Sequence, residues 1–266
     1  MPESAVPFDR HRMWRVLVDA LERMPDGVLE ERADWVQLRT PSSSHPGHNA
    51  VMHAELGDDE ADARIDAVVA EHLARGSGLR WVVDEGSRPA DLAARLEARG
   101  LQLLGRGMGM IRGVDPPPYP EPPAGGRIVQ ATADDCDRIG ESTSAGWQRP
   151  PGFGHTAAAW ARRAFASGKD DLLFWLAYDG DELVGSCTLR VLPGVGYLQG
   201  ACVLPRARGR GFYRALTWAR IAELHRRGIE RVVIWADPTT SGPVALAMGF
   251  QPVAEAAFYE IRAPGT

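Results

Sequence analysis

A proline-rich segment near the middle of the chain limits its possible folds more than any other feature. Residues 115–126 read DPPPYPEPPAGG. Because each proline fixes φ and removes a backbone donor, neither a regular helix nor a central strand runs through this segment. We interpret residues 115–126 as a Pro/Gly-rich linker that joins two domains, residues 1–114 and residues 127–266. Each part is long enough to bury a hydrophobic core of its own.

Both halves mix the hydrophobic periodicities of helices and strands. The first half predicts helices at 9–24, 59–74 and 89–99 and strands at 35–38, 50–56, 79–83 and 101–111. The second predicts strands at 127–130, 172–178, 183–191, 197–203, 231–236 and 250–261, and helices from 133, at 156–166, from about 212 to 228 and at 243–248. A hairpin is indicated at Asp179-Gly180-Asp181. The two halves end in a similar order of elements, which indicates a diverged duplication of one α/β (α+β) unit.

Bulk composition narrows the functional classes. The formal net charge is −5, with 44% hydrophobic and 24% charged residues, values typical of a globular protein. An acidic chain does not suit a nucleic-acid partner, whose phosphates require a basic face. The N-terminal residues lack the apolar core of a signal peptide and no stretch approaches the ~20 apolar residues of a spanning helix, so we expect a cytoplasmic protein without a membrane partner. Three cysteines without paired ligand spacing predict free thiols and no metal.

The segment VLPRARGRGFYRAL (203–216) carries the clearest chemical signal. Two glycines, Gly209 and Gly211, stand between an apolar strand and the first turn of a predicted helix. A helix start has N–H groups without intrahelical partners and the positive end of a dipole, and glycine allows an anion to approach the backbone closely. The segment therefore predicts an anion site that suits a pyrophosphate.

This segment resembles the cofactor-binding motif of the GNAT superfamily, the general-control-related N-acetyltransferases, in which a strand, a proline and R/Q-x-x-G-x-G/A open a helix. The resemblance covers residues 127–259, including the hairpin and the Gly249-Phe250 pair. The first half has the later elements of this fold but no RARGRG loop. The resemblance implies two GNAT-like mixed-sheet domains in tandem, each a mostly antiparallel sheet flanked by helices, with the N-terminal copy degenerate. It also implies an acyl-CoA cosubstrate, acetyl-CoA being the first candidate.

Two registers fit the motif. Arg206-x-x-Gly209-x-Gly211 is one, and Arg208-x-x-Gly211-x-Tyr213, where Tyr213 replaces the usual Gly or Ala, is the other. Both recruit the same amides. The resemblance implies that the following residues hold the cofactor: Ala201, Cys202, Val203, Arg208, Gly209, Arg210, Gly211, Phe212, Tyr213 and Arg214. Within this set Ala201–Val203 offer main-chain groups to the pantetheine arm, whereas Arg208 and Arg210 are equally compatible with simple solvation. Packing is the favoured role for the Cys202 side chain.

Catalysis requires a neutral amine, a donor for the developing oxyanion and a proton for the leaving thiolate. Members of the superfamily usually attack directly, without an acyl-enzyme. The glutamate that many members carry is replaced here by Tyr197, and their usual tyrosine acid by Ala245. The candidate catalytic residues are Tyr197, Asp237 and Tyr259, and the candidate acceptor-binding residues are Trp147, Phe153, His155 and Gln199. The alternatives are packing for the two tyrosines, a turn cap for Asp237 and a surface loop without a role for residues 147–155.

The sequence thus predicts an acyl-CoA-dependent N-acyltransferase, in which a small-molecule primary amine attacks the thioester directly. A monomer or a homodimer is expected. Two other functions remain open. The missing glutamate and tyrosine are compatible with a non-catalytic acyl-CoA sensor, which turnover with any amine would exclude. Tandem domains of this kind also occur in transferases that use aminoacyl-tRNA, which a tRNA requirement would identify.

Overall fold

The computed structural model describes residues 8–21 and 26–263, which divide into two compact units. Unit 1 contains the described residues up to Met110, Ala236–Leu246 and the described residues from Pro252 onward. Unit 2 contains Ile111–Trp235 and Ala247–Gln251. Unit 2 begins at Ile111, near the predicted linker, and the C-terminal strand, predicted within the domain 127–266, belongs to unit 1. The physical reason is backbone pairing. This strand pairs with a strand of the first half in a ladder that runs from Ile261 opposite Leu79 to Ala256 opposite Asp84.

The helices and strands of the described residues are numbered here in chain order. The α-helices are α1 (Arg10–Asp19), α2 (Asp58–Ala74), α3 (Leu92–Glu97), α4 (Cys136–Gly146), α5 (Pro151–Ala166), α6 (Phe212–Arg226) and α7 (Ser241–Ala247). The strands are β1 (Val28–Arg32), β2 (Trp35–Arg39), β3 (Ala50–Ala54), β4 (Leu79–Asp84), β5 (Gln102–Gly113), β6 (Gly126–Gln130), β7 (Leu172–Asp179), β8 (Glu182–Leu192), β9 (Val195–Val203), β10 (Arg231–Ala236) and β11 (Gln251–Ile261). The mixed α/β fold class is confirmed.

Each unit contains mixed sheet. The strand order in unit 1 is β1-β2-β3-β4-β11-β5, with β3 and β4 parallel and β4 and β11 antiparallel. The order in unit 2 is β10-β9-β8-β7-β6, with β10 and β9 parallel and the other pairs antiparallel. The β7–β8 hairpin turns at Gly180, whose φ of +57° is a conformation that glycine adopts readily. Both cores lie against these sheets, around Trp81 in unit 1 and Phe174 in unit 2.

Helix α5 begins earlier than the sequence predicts. The Gly/Pro-rich residues 151–155 were expected to belong to a loop, yet α5 starts at Pro151. Proline is well suited to the first turn of a helix, because its φ is already helical and the missing N–H has no partner there. Glycine serves close packing of α4 on α5, since a Cβ on Gly140 would lie 2.5 Å from the Gly154 carbonyl oxygen. These residues are therefore helix-start and helix-packing residues.

Two further differences concern the N-terminal part. Strand β1 was not predicted, because its sequence VLEER has few of the apolar residues that mark a strand, and pairing with β2 forms it. Helix α1 was predicted over 9–24 and ends at Asp19, while residues 22–24 of that prediction lie outside the described residues.

Candidate functional site

Strands β9 and β10 of unit 2 form a fork. Their parallel pairing is confined to Val232 opposite Gly196 and Val233 opposite Tyr197. Beyond Tyr197 no other described strand pairs with this edge of β9, although β9 continues to Val203. A free strand edge presents a row of backbone donors and acceptors to a ligand. The predicted pantetheine-binding residues Ala201–Val203 lie in this part of β9.

A β-bulge bends β9 within the fork. In the pairing of β8 with β9, Cys187 lies opposite Ala201 but Thr188 lies opposite Gln199, so Gly200 is an extra residue. Its φ of +45° is in the left-handed region, which glycine adopts without the Cβ penalty. A bulge kinks its strand and disrupts the ladder locally. The bulge therefore redirects the last residues of β9 at the predicted cofactor position.

The predicted anion loop follows β9. Pro205–Ala207 form a short 3₁₀ turn, and Gly209 and Gly211 have φ values of +74° and +97°. Gly211 is the N-cap of α6, and no side chain caps this helix start. Phe212, the first helical residue, is 1% exposed and anchors the helix start in the core. An uncapped helix start after a glycine loop suits a phosphate group by both its dipole and its backbone donors.

The two arginines of the loop have protein partners. Arg208 donates from Nε to the Val203 carbonyl at 3.1 Å and from Nη2 to the Gly146 carbonyl at 2.7 Å. It thus joins the end of β9 to the end of α4. Arg210 forms a two-bond ion pair with Asp179 in the β7–β8 turn, at 2.6 and 3.1 Å, which lowers the pKa of that carboxyl group. The sequence had offered phosphate binding or solvation for both arginines and missed these contacts.

The thiol of Cys202 is buried in a polar contact network. Its Sγ donates to the Ser142 carbonyl at 3.2 Å and lies 3.5 Å from Ser186 Oγ. The Ser142 hydroxyl in turn donates to Ser186 Oγ at 2.6 Å. Burial raises the pKa of the Cys202 thiol, so it stays protonated at neutral pH. A protonated, enclosed thiol is a poor nucleophile, which supports the packing interpretation.

Tyr197 and Gln199 lie on the face of β9 that is opposite α6. A Cβ on Gly196 would come within 2.3 Å of Leu224 of α6, so the neighbouring Tyr197 side chain points the other way. Tyr197 is buried, and this burial raises the pKa of its hydroxyl group. Gln199 Oε1 is also buried and accepts no hydrogen bond from the described residues. An unbonded buried acceptor is costly unless a ligand supplies a donor.

Asp237 and Tyr259 both make contacts within unit 1. Asp237 Oδ1 accepts hydrogen bonds from the backbone N–H groups of Thr239 at 2.8 Å and Thr240 at 2.9 Å. The Thr239 hydroxyl also donates to it, and these bonds lower the pKa of Asp237. This is the turn cap named as the alternative to catalysis. Tyr259 is 2% exposed and packs in the core with Trp81, which is the alternative named for it.

Three of the candidate acceptor residues lie near the start of α5. Trp147 follows α4 and is 49% exposed, and Phe153 in the first turn of α5 is 39% exposed. His155 is also exposed and lies in the same helix. Residues 147–155, predicted as a loop, thus form a tight helix–helix connection and the first turn of α5, and they display two aromatic rings. Exposed aromatic rings are typical of binding surfaces.

Comparisons with known proteins identify the family. A model described as the acetyltransferase (GNAT) family matches residues 141–250. The mycothiol acetyltransferase of Nocardia farcinica is 31% identical over 243 residues, which cover 85% of this chain and 77% of that protein. The mycothiol acetyltransferase of Geodermatophilus obscurus is 28% identical over 218 residues, or 72% and 71% of the two chains. The chain belongs to the GNAT acetyltransferase family.

Membership of the GNAT family confirms the predicted class of enzyme, an acyl-CoA-dependent N-acetyltransferase. A solved structure of a tandem GNAT protein from the clavulanic acid biosynthesis pathway has the same fold, with a TM-score of 0.56 and 14% identity over 100% of this chain and 91% of that chain. The tandem GNAT arrangement is thereby confirmed.

In residues 8–21 and 26–263 no helix combines the length and apolar character needed to cross a membrane. The same part of the chain groups no three His, Cys, Asp or Glu side chains as metal ligands.

Proposed function

We propose that the protein transfers the acetyl group of acetyl-CoA to the primary amine of a small, mycothiol-related acceptor. The observation that supports this most is the combination of an open β9 edge with an uncapped α6 start in the same unit. The β9 edge supplies backbone partners for the amides of pantetheine, and the α6 start supplies an anion site for the pyrophosphate. The residues assigned to the cofactor are those predicted from sequence, Ala201–Val203 and Gly209–Arg214.

The acetyl transfer proceeds by direct attack in this proposal. The neutral amine attacks the thioester carbonyl, a C–N bond forms, the C–S bond breaks and the thiolate receives a proton while the amine loses one to solvent. Cys202 takes no part, because its thiol is buried and protonated. The Tyr197 hydroxyl, whose pKa is raised, stays protonated at neutral pH and acts as a donor. Gln199 Oε1 is available to accept an N–H of a bound substrate.

The acceptor class rests on the two curated relatives. Both are mycothiol acetyltransferases, at 31% and 28% identity. The exposed rings of Trp147 and Phe153 are the surface that we assign to this acceptor. The Ser142–Cys202 contact and the Arg208 bond to Gly146 fix the end of α4, and with it Trp147, against β9.

The proposal is tested by incubating the protein with acetyl-CoA and mycothiol that lacks its acetyl group. We expect a mass increase of one acetyl group on the amine, detected by mass spectrometry, with release of CoA. Binding of acetyl-CoA without turnover of this acceptor or of a panel of primary amines would favour the sensor instead. Turnover that requires aminoacyl-tRNA would favour the other transferase.

A further inference from the structure

Arg220 is a charged side chain in the core of unit 2. It lies on α6 and is 0% exposed, among the largest fully buried side chains of the described chain. Within the described residues it forms no ion pair with a carboxylate. Burying a charge without a counter-charge is costly unless its donors are satisfied by well-placed acceptors. The environment of Arg220 therefore has to supply those acceptors.

Three neutral acceptors surround the guanidinium. Nε donates to the Leu216 carbonyl at 3.1 Å and Nη2 to the Thr217 hydroxyl at 3.3 Å, both on the same helix. Nη1 reaches the sheet and donates to the Thr188 carbonyl of β8 at 3.1 Å. Arg220 thus links α6 to β8 by hydrogen bonds, and its contact in the sheet is the Thr188 carbonyl.

Thr188 is the residue at which the β8–β9 ladder changes register. It lies opposite Gln199, while the preceding Cys187 lies opposite Ala201, with Gly200 as the extra residue. A bulge disrupts the regular ladder bonds at this point. Arg220 provides a side-chain donor to the β8 carbonyl at this disruption.

We propose that Arg220 is a positioning residue that holds the β9 bulge in its bent form, and with it the strand edge that binds the pantetheine arm. This inference rests on the proposed function of that edge. Arg220 touches neither the pyrophosphate loop nor the acceptor residues in this account. Its effect passes through Thr188 and Gly200 to Ala201–Val203.

Positioning of the β9 bulge by Arg220 can be distinguished from a general contribution of Arg220 to the stability of the fold. Replacing Arg220 by an apolar side chain of similar length removes a costly buried charge, which offsets much of the penalty for the acceptors that lose its donors. Arg220→Met is therefore expected to fold with a melting temperature close to that of the wild type. It leaves Thr188 without the side-chain donor, so the bulge relaxes and acyl-CoA binds more weakly.

The test is steady-state kinetics of wild type and Arg220→Met with acetyl-CoA and a turned-over amine. We expect KM for acetyl-CoA to rise about tenfold or more, which is the effect expected from losing one hydrogen bond to a charged group. KM for the amine should stay within about twofold. Arg220→Lys keeps the charge and reaches one acceptor, so it should restore part of the affinity. If Arg220→Met does not fold, the same comparison of acetyl-CoA affinity is made with Arg220→Lys.

Two further variants make the result specific. Arg227→Met removes another arginine of the same region, which bonds to Glu223 and Asp170, and should leave KM for acetyl-CoA unchanged. Gly200→Ala strains the bulge directly and should be non-additive with Arg220→Met in a double-mutant cycle. An Arg220→Met enzyme with wild-type KM for acetyl-CoA, or additive effects in that cycle, would overturn the positioning role. If the wild type itself neither binds nor uses acetyl-CoA, the proposed function fails instead.

Discussion

Both units contain a fork between two parallel strands, but only one fork is open. In unit 1, β3 and β4 pair at Ala50 opposite Arg80 and at Val51 opposite Trp81, much as β9 and β10 pair over two residues in unit 2. The main chain of Arg88 then fills the unit 1 fork. Its N–H donates to the Ala54 carbonyl at 2.9 Å and its carbonyl accepts from Leu56 N–H at 3.2 Å.

The helix that follows each fork also begins differently in the two units, with carboxylates at its start in unit 1 and none in unit 2. Helix α2 begins after Gly57, whose N–H donates to the carboxylate of Glu60 at 3.1 Å. Asp58 and Asp59 add negative charge to this first turn. Helix α6 begins after Gly211 in the left-handed conformation, with no side-chain cap and no acid in its first turn.

Under the proposed function, one fold carries a ligand site in one copy and none in the other. Unit 1 supplies its own strand-like segment and its own carboxylate at the positions where unit 2 presents free backbone groups. Carboxylates at a helix start satisfy the dipole and repel phosphate. We therefore expect the cofactor to bind to unit 2 alone.

The strongest way to break this asymmetry is to block the unit 2 anion site. Gly211→Glu introduces a side chain and a negative charge at the α6 N-cap, where φ is +97°. We expect the rise in melting temperature produced by CoA or acetyl-CoA to vanish, since only ligand that binds the folded state stabilises it. Gly57→Glu is the matched control in unit 1 and should keep the full shift. An unchanged shift in Gly211→Glu would refute the placement of the pyrophosphate.

A second prediction compares the two candidate tyrosines. Tyr197→Phe removes a protonated donor beside the open fork and is expected to lower kcat about 100-fold, the size of a typical acid contribution. Tyr259→Phe changes a core residue of unit 1 and should keep kcat within about threefold. Rates for both variants at saturating substrates check this. Equal losses in both would remove the distinction between a catalytic and a packing tyrosine.

A third prediction uses pH to separate the units. His72 in unit 1 is fully buried, with Nδ1 3.1 Å from Ser77 Oγ, and burial lowers its pKa to about 4 from 6.5. Between these values the unfolded chain binds more protons than the folded one, so stability falls as pH drops from 6.5 to 4. The expected loss is about 3 kcal/mol at full protonation.

Urea unfolding of wild type and His72→Gln at pH 7 and pH 4.5 measures this loss. The variant should show a smaller difference between the two pH values. Hydrogen exchange at pH 4.5 should show unit 1 amides losing protection before those of unit 2. A pH dependence that is the same in wild type and variant would contradict the role of His72.

The smallest expected effects concern the cysteines. Cys202→Ala and Cys136→Ala should each retain acyl transfer within about threefold, because the amine attacks the thioester directly and both thiols are buried. Steady-state rates and intact-protein mass spectrometry test this. Loss of activity in a well-folded variant, together with a trapped acyl-enzyme on the wild type, would overturn direct attack.

Much of unit 2 could be predicted from sequence because its signals are local. The Asp179-Gly180 turn, the apolar strands and the two glycines before α6 each follow from residue types at short spacing. The open and filled forks could not be predicted, because the bonds of Arg88 are made by its main chain and carry no side-chain signal.

Other features that depend on tertiary structure have similar physical causes. Glycine and proline usually break helices, so the sequence predicts a loop at residues 151–155, whereas Pro151 starts a helix. Asp237 and Tyr259 are candidates by residue type, and their contacts with the Thr239 turn and with the unit 1 core are visible only in the tertiary structure. Arg220 was not singled out, because an arginine on a helix is normally a surface residue.

Calorimetric titration of the whole chain with CoA tests the central asymmetry most directly. We predict one site per chain in the wild type and none in Gly211→Glu. Glu60→Gln, which removes one carboxylate from the α2 start, should still give one site, because the Arg88 main chain continues to fill the unit 1 fork. Two sites per wild-type chain, or a site that survives in Gly211→Glu, would contradict the account.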